Sequence, residues 1–411
     1  MIRVKASLPS YRKIELEIDE KKTIGDLKKR LCTKLGIEAN LTKLLLKGKL
    51  LSEKSPLSKL KGIEDDVIID YLWARHLLLW GIEGQQKIRS ASVLLAGAGA
   101  IGNEVAKNLA MLGVGRLFFV DKDTVELSNT SRMIFFNYSS LGKNKAEILA
   151  KNVHERYPVV ETAAYRGELE SLPLKVYLDS DVIISGLDNA VSRIYLSQIS
   201  RRYSIPLVDG GILGLTARVQ AYIPPEAACP TCMFPGRQYS SIVGLRNPCD
   251  APIEQQTVPS FSTSISLVSS IVAQETIKII LGFENYKQKK EWPETSGEPL
   301  GSVLFIDLKS NRYTPMPLKR NETCLVCGKN GTTRKTAKRI DLQLSPLKKM
   351  ETAIREATHL QKESLLLFSE TVQGERKLDE RNAARLRRGD YVRAITEHGV
   401  EGADEAVCRL T

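Results

Sequence analysis

One stretch constrains this chain more than any other. Val93-Leu94-Leu95-Ala96 is a continuous apolar run, the pattern of a strand buried on both faces. Gly97-Ala98-Gly99-Ala100-Ile101-Gly102 follows at once, then a helical stretch to Leu112 and a second apolar run at 117–120 that ends on Asp121. Strand, glycine-rich turn, helix, strand and acid make a nucleotide-binding βαβ unit, which requires a parallel sheet covered by helices. Gly97, Gly99 and Gly102 let the backbone turn tightly and approach phosphate oxygens, with Ala100 opening a helix whose N-terminus favours negative charge. Asp121 lies 19 residues past Gly102, suited to a ribose hydroxyl. On these residues alone, a nicotinamide or flavin enzyme and an ATP-using enzyme are both open.

The unit sits within 411 residues, enough for two to four domains. Further strand–helix pairs follow it. Val182–Ser185 reads as a strand and 189–202 as a helix. Residues 206–209 read as a strand stopped by Gly210-Gly211, and 218–223 as an alternating antiparallel strand. Residues 265–281 read as a long helix closed by Gly282, 284–301 as a polar surface loop and 302–307 as another strand. Gln274, Glu275 and Lys278 interrupt that long helix, and no run of about 18 or more uncharged apolar residues exists, so no membrane partner is expected. The chain has 60 Lys+Arg against 48 Asp+Glu, a net +12. Basic charge without a reading motif or interleaved aromatics does not point to nucleic acid.

Residues 1–72 form a separate pattern. Ile2, Val4 and Ala6 alternate with polar residues, as do Ile14, Leu16 and Ile18, which signals half-buried strands. Thr23 caps a helical spacing of Ile24, Leu27, Leu31 and Leu35, and Gly36 stops it. Short apolar runs return at 44–46 and 67–69. The order strand, strand, helix, strand, strand is that of a β-grasp, and Met1 through Tyr71 resembles ubiquitin element for element, including Lys43-Leu44-Leu45-Leu46-Lys47-Gly48-Lys49-Leu50-Leu51. The last strand runs on into Leu72-Trp73-Ala74-Arg75 rather than a free Gly-Gly, so this copy reads as a docking or regulatory module. At the other end, Gly328-Lys329-Asn330-Gly331 and the polar residues after it read as a linker. Alternating Ile340, Leu342 and Leu344, an amphipathic helix at 347–357 and strands at 365–368 and 391–395 read as a second β-grasp over 334–411, with residues 391–395 as its closing strand.

Seven cysteines divide unevenly. Cys229-Pro230-Thr231-Cys232 and Cys324-Leu325-Val326-Cys327 are two knuckles whose paired sulfurs suit one tetrahedral zinc, and their wide separation makes the metal a staple between distant parts of one domain. Such usage fits a reducing compartment, and a cytoplasmic location is expected. Cys32 lies beside Leu31 and reads as packing, and Cys408, near the end, is expected at the surface. Cys249, in Arg246-Asn247-Pro248-Cys249-Asp250-Ala251-Pro252, lies between prolines in an irregular loop at 233–260.

The residues after Asp121 narrow the nucleotide. Asp121-Lys122-Asp123-Thr124-Val125-Glu126-Leu127-Ser128-Asn129, Arg132 and Gly142-Lys143-Asn144-Lys145 resemble the ThiF/MoeB superfamily, which holds the ubiquitin-activating enzymes and their sulfur-carrier relatives. The resemblance covers about residues 73–327. It implies an α/β, Rossmann-like adenylation domain (73–333) flanked by the two small β-grasp domains. It implies ATP over Gly97, Gly99, Ala100 and Gly102, bounded by Asp121, Asp123, Asn129 and Asn189. Arg132 and Lys145, or Lys143 in its place, would meet the triphosphate. Asp188, in Ser185-Gly186-Leu187-Asp188-Asn189, would hold magnesium, and the four paired cysteines a structural zinc. Arg75 would reach the triphosphate of the other subunit of a homodimer. The expected reaction is adenylation of the C-terminal glycine of a ubiquitin-like modifier, then a thioester on Cys249 and handover to a conjugating enzyme. The alternative is activation of a sulfur carrier without that transfer.

Overall fold

In the computed structural model, residues 1–9, 11–61, 66–233, 259–333, 336–358, 365–371, 374–379, 383–396 and 405–411 are described. They form two units: Met1–Arg89 with Glu294–Ser296, and Ser90–Pro293 with Gly297–Thr411.

In the first unit, β1 (Ile2–Leu8) and β2 (Arg12–Ile18) form a hairpin. Helix α1 (Ile24–Leu35) then crosses to β3 (Thr42–Leu46), β4 (Lys49–Leu50) and β5 (Val67–Tyr71), in sheet order β2-β1-β5-β3-β4 with β1 and β5 parallel. Thr23 and Asp26 form a capping box at the start of α1, and Gly36 ends the helix at φ +71°. Ile24, Leu27, Leu31, Cys32 and Leu35 are buried, as their spacing predicts. The unit continues past residue 72 into α2 (Leu77–Ser90), which is broken at Gly81 (φ +68°). Arg89 pairs with Glu38 at 3.0 Å and lies 5.1 Å over the Trp73 ring, while Gln86 donates to the Gly36 carbonyl at 2.8 Å. Residues 73–89 therefore pack onto the ubiquitin-like fold.

The second unit holds an eight-stranded sheet. It comprises β6 (Ser92–Ala96), β7 (Arg116–Val120), β8 (Glu161–Tyr165), β9 (Val182–Ser185), β10 (Leu207–Leu213), β11 (Thr216–Tyr222), β12 (Val303–Asp307) and β13 (Arg312–Met316), in order β13-β12-β11-β10-β9-β6-β7-β8. Strands β6 to β10 are parallel and β11 to β13 antiparallel. Helices α3 (Ala100–Leu112), α4 (Lys145–Arg156), α5 (Leu174–Leu178), α6 (Ala190–Tyr203) and α7 (Ser262–Lys289) cover it. Every residue of β6 and β9 is buried, which is why both read as unbroken apolar runs. The chain leaves β6 toward β7 and β8, then returns to place β9 on the other side of β6. That reversal makes a crevice at the carboxyl ends of β6 and β9.

Four expectations change here. Gly210-Gly211 does not stop the strand: β10 runs through both, and a Cβ on Gly210 would stand 2.9 Å from Val272, so the glycine admits α7 close to the sheet. Gly282 does not close the long helix, which continues to Lys289 with Gly282 buried in its interior. Length and composition would let α7 cross a membrane, but 61% of its most apolar window is buried inside the unit. The expected linker is bonded: Thr332 and Thr333 donate to the Leu325 and Val326 carbonyls (2.6 and 3.0 Å), and Arg201 Nε donates to the Thr333 carbonyl at 2.7 Å.

The fourth change concerns the C-terminal region. It contains β14 (Lys338–Leu342), α8 (Leu347–Thr358), β15 (Leu365–Thr371), β16 (Gly374–Lys377), β17 (Tyr391–Thr396) and β18 (Glu405–Leu410), in order β14-β18-β17-β15-β16. As in ubiquitin's order, the first and last strands are parallel neighbours. Among the described residues one strand precedes the helix and four follow it, however, against two and three in the first unit. Tyr391–Thr396 is the penultimate strand, and β18 closes the sheet. Cys408 lies in that closing strand, fully buried rather than at the surface, and burial pushes its thiol up to about 12. The sheet is seated on α5 and α6: Tyr391 donates to Asp179 at 3.1 Å, Tyr203 to Glu405 at 3.1 Å, and the Ala337 amide to the Arg202 carbonyl at 2.7 Å.

Candidate nucleotide site and cysteine cluster

The crevice floor is backbone. Gly97 sits at φ +95°, and a Cβ there would stand 2.9 Å from the Gly186 carbonyl oxygen. A Cβ on Gly102 would stand 2.0 Å from the Gly97 carbonyl oxygen. The protein's own packing therefore requires both glycines. Gly99, which caps α3, has nothing among the described residues within 4 Å of its Cβ position. Its missing side chain leaves open space directly before a helix N-terminus, a cradle that fits a phosphate.

Asp121, directly after β7, has both carboxylate oxygens engaged. Oδ2 accepts the Ala98 N–H at 2.8 Å and Oδ1 the Asp123 N–H at 2.9 Å. Burial pushes its pKa above the usual carboxylate value, against the pull of those hydrogen bonds and of Lys145. Asp121 thus ties the glycine turn to the 121–123 segment, and each oxygen keeps a lone pair for a ligand hydroxyl. Lys145 opens α4 and pairs with Asp123 at 3.2 Å, with its side chain 14% exposed. Lys143, by contrast, is exposed. Of the two lysines, Lys145 is the one paired with Asp123.

Asn129 is buried and caps the short helix Leu127–Ser131, its Oδ1 accepting the Glu126 N–H at 3.0 Å. Arg132 follows that helix, half-buried, with Nη1 on the Ser128 carbonyl at 2.7 Å. Asp188 and Asn189 are exposed beyond β9, and Asn189 caps α6 by accepting the Ser192 N–H at 2.8 Å. Lys122 reports that the β7 and β9 ends share one field: its pKa is raised first by the Glu168 hydrogen bond and further by Asp123 and Asp188. Ser185, ending β9, has a buried hydroxyl without a hydrogen-bond partner among the described residues. Arg75 lies exposed between β5 and α2 in the first unit. Cys249 lies outside the described residues.

The cysteine cluster is assembled. Cys229, Cys232, Cys324 and Cys327 are all buried, with ligand atoms within 4.8 Å of one another. The Sγ of Cys229 lies 3.8, 3.6 and 3.6 Å from those of Cys232, Cys324 and Cys327, and Cys232 lies 3.3 Å from Cys327. Four thiolates about 2.3 Å from one zinc stand about 3.8 Å apart, whereas a disulfide needs about 2.0 Å. The donor set and spacing fit zinc. Gly328 makes the second knuckle possible, since a Cβ there would stand 2.4 Å from the Cys324 carbonyl oxygen.

This architecture has known counterparts. The model of the ThiF family matches residues 73–326, and that of the ubiquitin family residues 2–72. The chain belongs to the ThiF family. A Haloferax volcanii protein named SAMP-activating enzyme E1 is 30% identical to it over 63% of this chain and 89% of that protein. A maize protein named adenylyltransferase and sulfurtransferase MOCS3-1 is 31% identical over 63% of this chain, which spans about half (52%) of that relative's length. Escherichia coli MccB, solved with ATP, shares the fold at a TM-score of 0.50 and 21% identity, over 63% of this chain and 75% of that one.

Sequence reasoning about this ThiF-family chain missed three asparagines that frame the site. Asn103 Oδ1 accepts the Phe135 N–H at 2.9 Å, and Asn152 donates to the Phe135 carbonyl at 2.6 Å, pinning the segment after Arg132. Asn144 donates to the Asp121 and Asp123 carbonyls at 2.9 and 3.1 Å while its Oδ1 caps α4. For Asn144 a signal existed: Asn-x-x-Glu before a helical spacing is a capping pattern. Asn103 and Asn152 bond across 32 and 17 residues, beyond any local pattern.

Proposed function

We propose that this chain adenylates the C-terminal carboxylate of a ubiquitin-fold carrier protein at the expense of ATP. One observation carries the reading: an open glycine position before the α3 N-terminus, at the switch point of a ThiF-family sheet, with Lys145 paired to Asp123, whose N–H is bonded to the Asp121 carboxylate that holds the turn. In this reading the triphosphate lies over Gly97, Gly99 and Gly102, Asp121 accepts from a ribose hydroxyl, and Arg132 and Lys145 neutralise phosphate charge. Magnesium, when bound, screens the phosphates, and Asp188 is its protein ligand. The carrier carboxylate attacks the α-phosphorus. The bond from that phosphorus to the bridging oxygen breaks, and pyrophosphate leaves with the electron pair. The zinc is structural. Arg75 serves the site of a partner subunit in a homodimer, and the free thiols suit a cytoplasmic setting.

For the fate of the acyl-adenylate, the name of the maize relative, adenylyltransferase and sulfurtransferase, supports a carrier of the sulfur-transfer kind. A second reading, favoured by Cys249 between two prolines, transfers the acyl group to the Cys249 thiolate with loss of AMP and then to a conjugating enzyme. The test of adenylation is ATP–pyrophosphate exchange with carriers ending in Gly-Gly. Exchange should require the carrier and fall to background in Arg132→Ala. Background exchange with every carrier offered to the intact protein would refute the reading.

A further inference from the structure

A buried charge cluster stands next to the proposed site and has no part in it so far. Asp209, in β10 beside Ser185 of β9, is 1% exposed and meets two arginines. Arg193, in the first turn of α6, pairs with one of its oxygens and also donates to the carbonyls of Gly210 (3.0 Å) and Leu187. Arg218, from β11, pairs with the other oxygen at 2.8 Å and reaches the Met233 sulfur at 3.5 Å. Burying two guanidinium groups against one carboxylate is a poor route to stability, since apolar residues of similar volume often serve as well or better. The cluster does supply a fixed direction. Leu187 immediately precedes Asp188, and its carbonyl is held by a guanidinium that Asp209 aims from behind.

We propose that Arg193 is a positioning residue for metal-bound nucleotide: through the Leu187 carbonyl it sets the 186–189 turn so that the Asp188 carboxylate meets the ion on the phosphates. Arg218 touches the same carboxylate but, among the described hydrogen bonds, donates none to the Leu187 carbonyl, so it shares the cluster without sharing the role. This inference rests on the adenylation reading, in which Asp188 is the magnesium ligand.

The experiment measures ATP binding by calorimetry while magnesium is varied, on the full chain and with no carrier added. Arg193→Lys keeps the charge and loses the forked donor. It should raise the magnesium concentration for half-maximal ATP binding about tenfold, the scale of lost support behind a metal ligand. Affinity at saturating magnesium should stay close to that of the unaltered chain. Arg218→Lys should leave the magnesium dependence unchanged. If Arg193→Lys does not fold, Asp209→Asn keeps both arginines, removes the charge that aims them and is read the same way. An equal shift in the Arg193 and Arg218 variants, or none in the Arg193 variant, overturns the positioning role and leaves adenylation standing. An unaltered chain that binds no ATP at any magnesium concentration overturns both.

Discussion

A Cβ on Gly97 would stand 2.9 Å from the carbonyl oxygen of Gly186, so the turns that follow β6 and β9 meet backbone to backbone. That meeting closes the crevice floor and separates two kinds of glycine. Gly97→Ala adds a clash and an unfavourable φ of +95°, and should destabilise the fold by about 1–3 kcal/mol. A Cβ at Gly99 meets no atom of the described residues within 4 Å, so Gly99→Val should leave the melting temperature nearly unchanged while abolishing ATP binding. Thermal melts and calorimetry on the two variants check the contrast. A Gly99→Val protein that still binds ATP as tightly as the unaltered chain would remove the phosphate from this turn.

The cysteine cluster shares one core with Tyr391 and Val407 of the C-terminal sheet. Loss of the metal should therefore loosen more than the knuckles. Cys232→Ser should take the zinc content from one ion per chain to none, measured by elemental analysis. It should also lower the melting temperature and speed amide exchange in β17 and β18. Zinc loss with unchanged exchange in those strands would mean the C-terminal sheet does not depend on the staple.

These two sites were legible for the same reason. Gly97, Gly99 and Gly102, and each cysteine knuckle, are short-range patterns whose chemistry needs that spacing wherever the chain goes. The β1–β5 fold was legible because its alternation and its capping box at Thr23 are local. The strand order of the C-terminal region was not, because β14 pairs with β18 some 68 residues later and no local pattern records that choice. Cys408 was misplaced for the same reason: nearness to the end of a sequence says nothing of a strand that closes a sheet. No local pattern singles out Arg193 and Arg218, which α6 and β11 bring against Asp209 of β10.

The C-terminal sheet also holds a surplus carboxylate. Glu370 is 1% exposed and faces Arg393 at 3.3 Å, but Arg393 is shared with Glu375 and Glu405, and Glu405 takes Arg202 as well. Burial, and then the hydrogen bond with Glu375, push Glu370 up to about 8, against the pull of Arg393. A carboxyl with a raised native pKa favours folding while protonated. Its contribution is complete below the unfolded value near 4.5, declines as pH rises and is gone above about 8. Glu370→Gln fixes the neutral form. The variant should lose less stability than the unaltered chain between pH 6 and pH 9 in denaturant titrations. An equal loss in the two proteins would show that Glu370 is already ionised in the native sheet.

Cys249→Ala decides between the two fates of the adenylate. Chain segments flanking the cysteine loop are anchored near the proposed site: the Met233 sulfur accepts from Arg218, and the Pro259 carbonyl accepts the Gly214 N–H at 2.9 Å. Adenylation needs no thiol, so the variant should keep full ATP–pyrophosphate exchange in either case. In the sulfur-carrier reading, mass spectrometry of the unaltered chain with ATP and carrier should find no covalent adduct that a reducing agent removes. An adduct of enzyme plus carrier, present in the unaltered chain, lost on thiol treatment and absent from Cys249→Ala, would establish the thioester instead and make a conjugating enzyme the next partner to seek. Loss of exchange in Cys249→Ala would contradict both readings, because the thiol would then act before or during attack on the α-phosphorus.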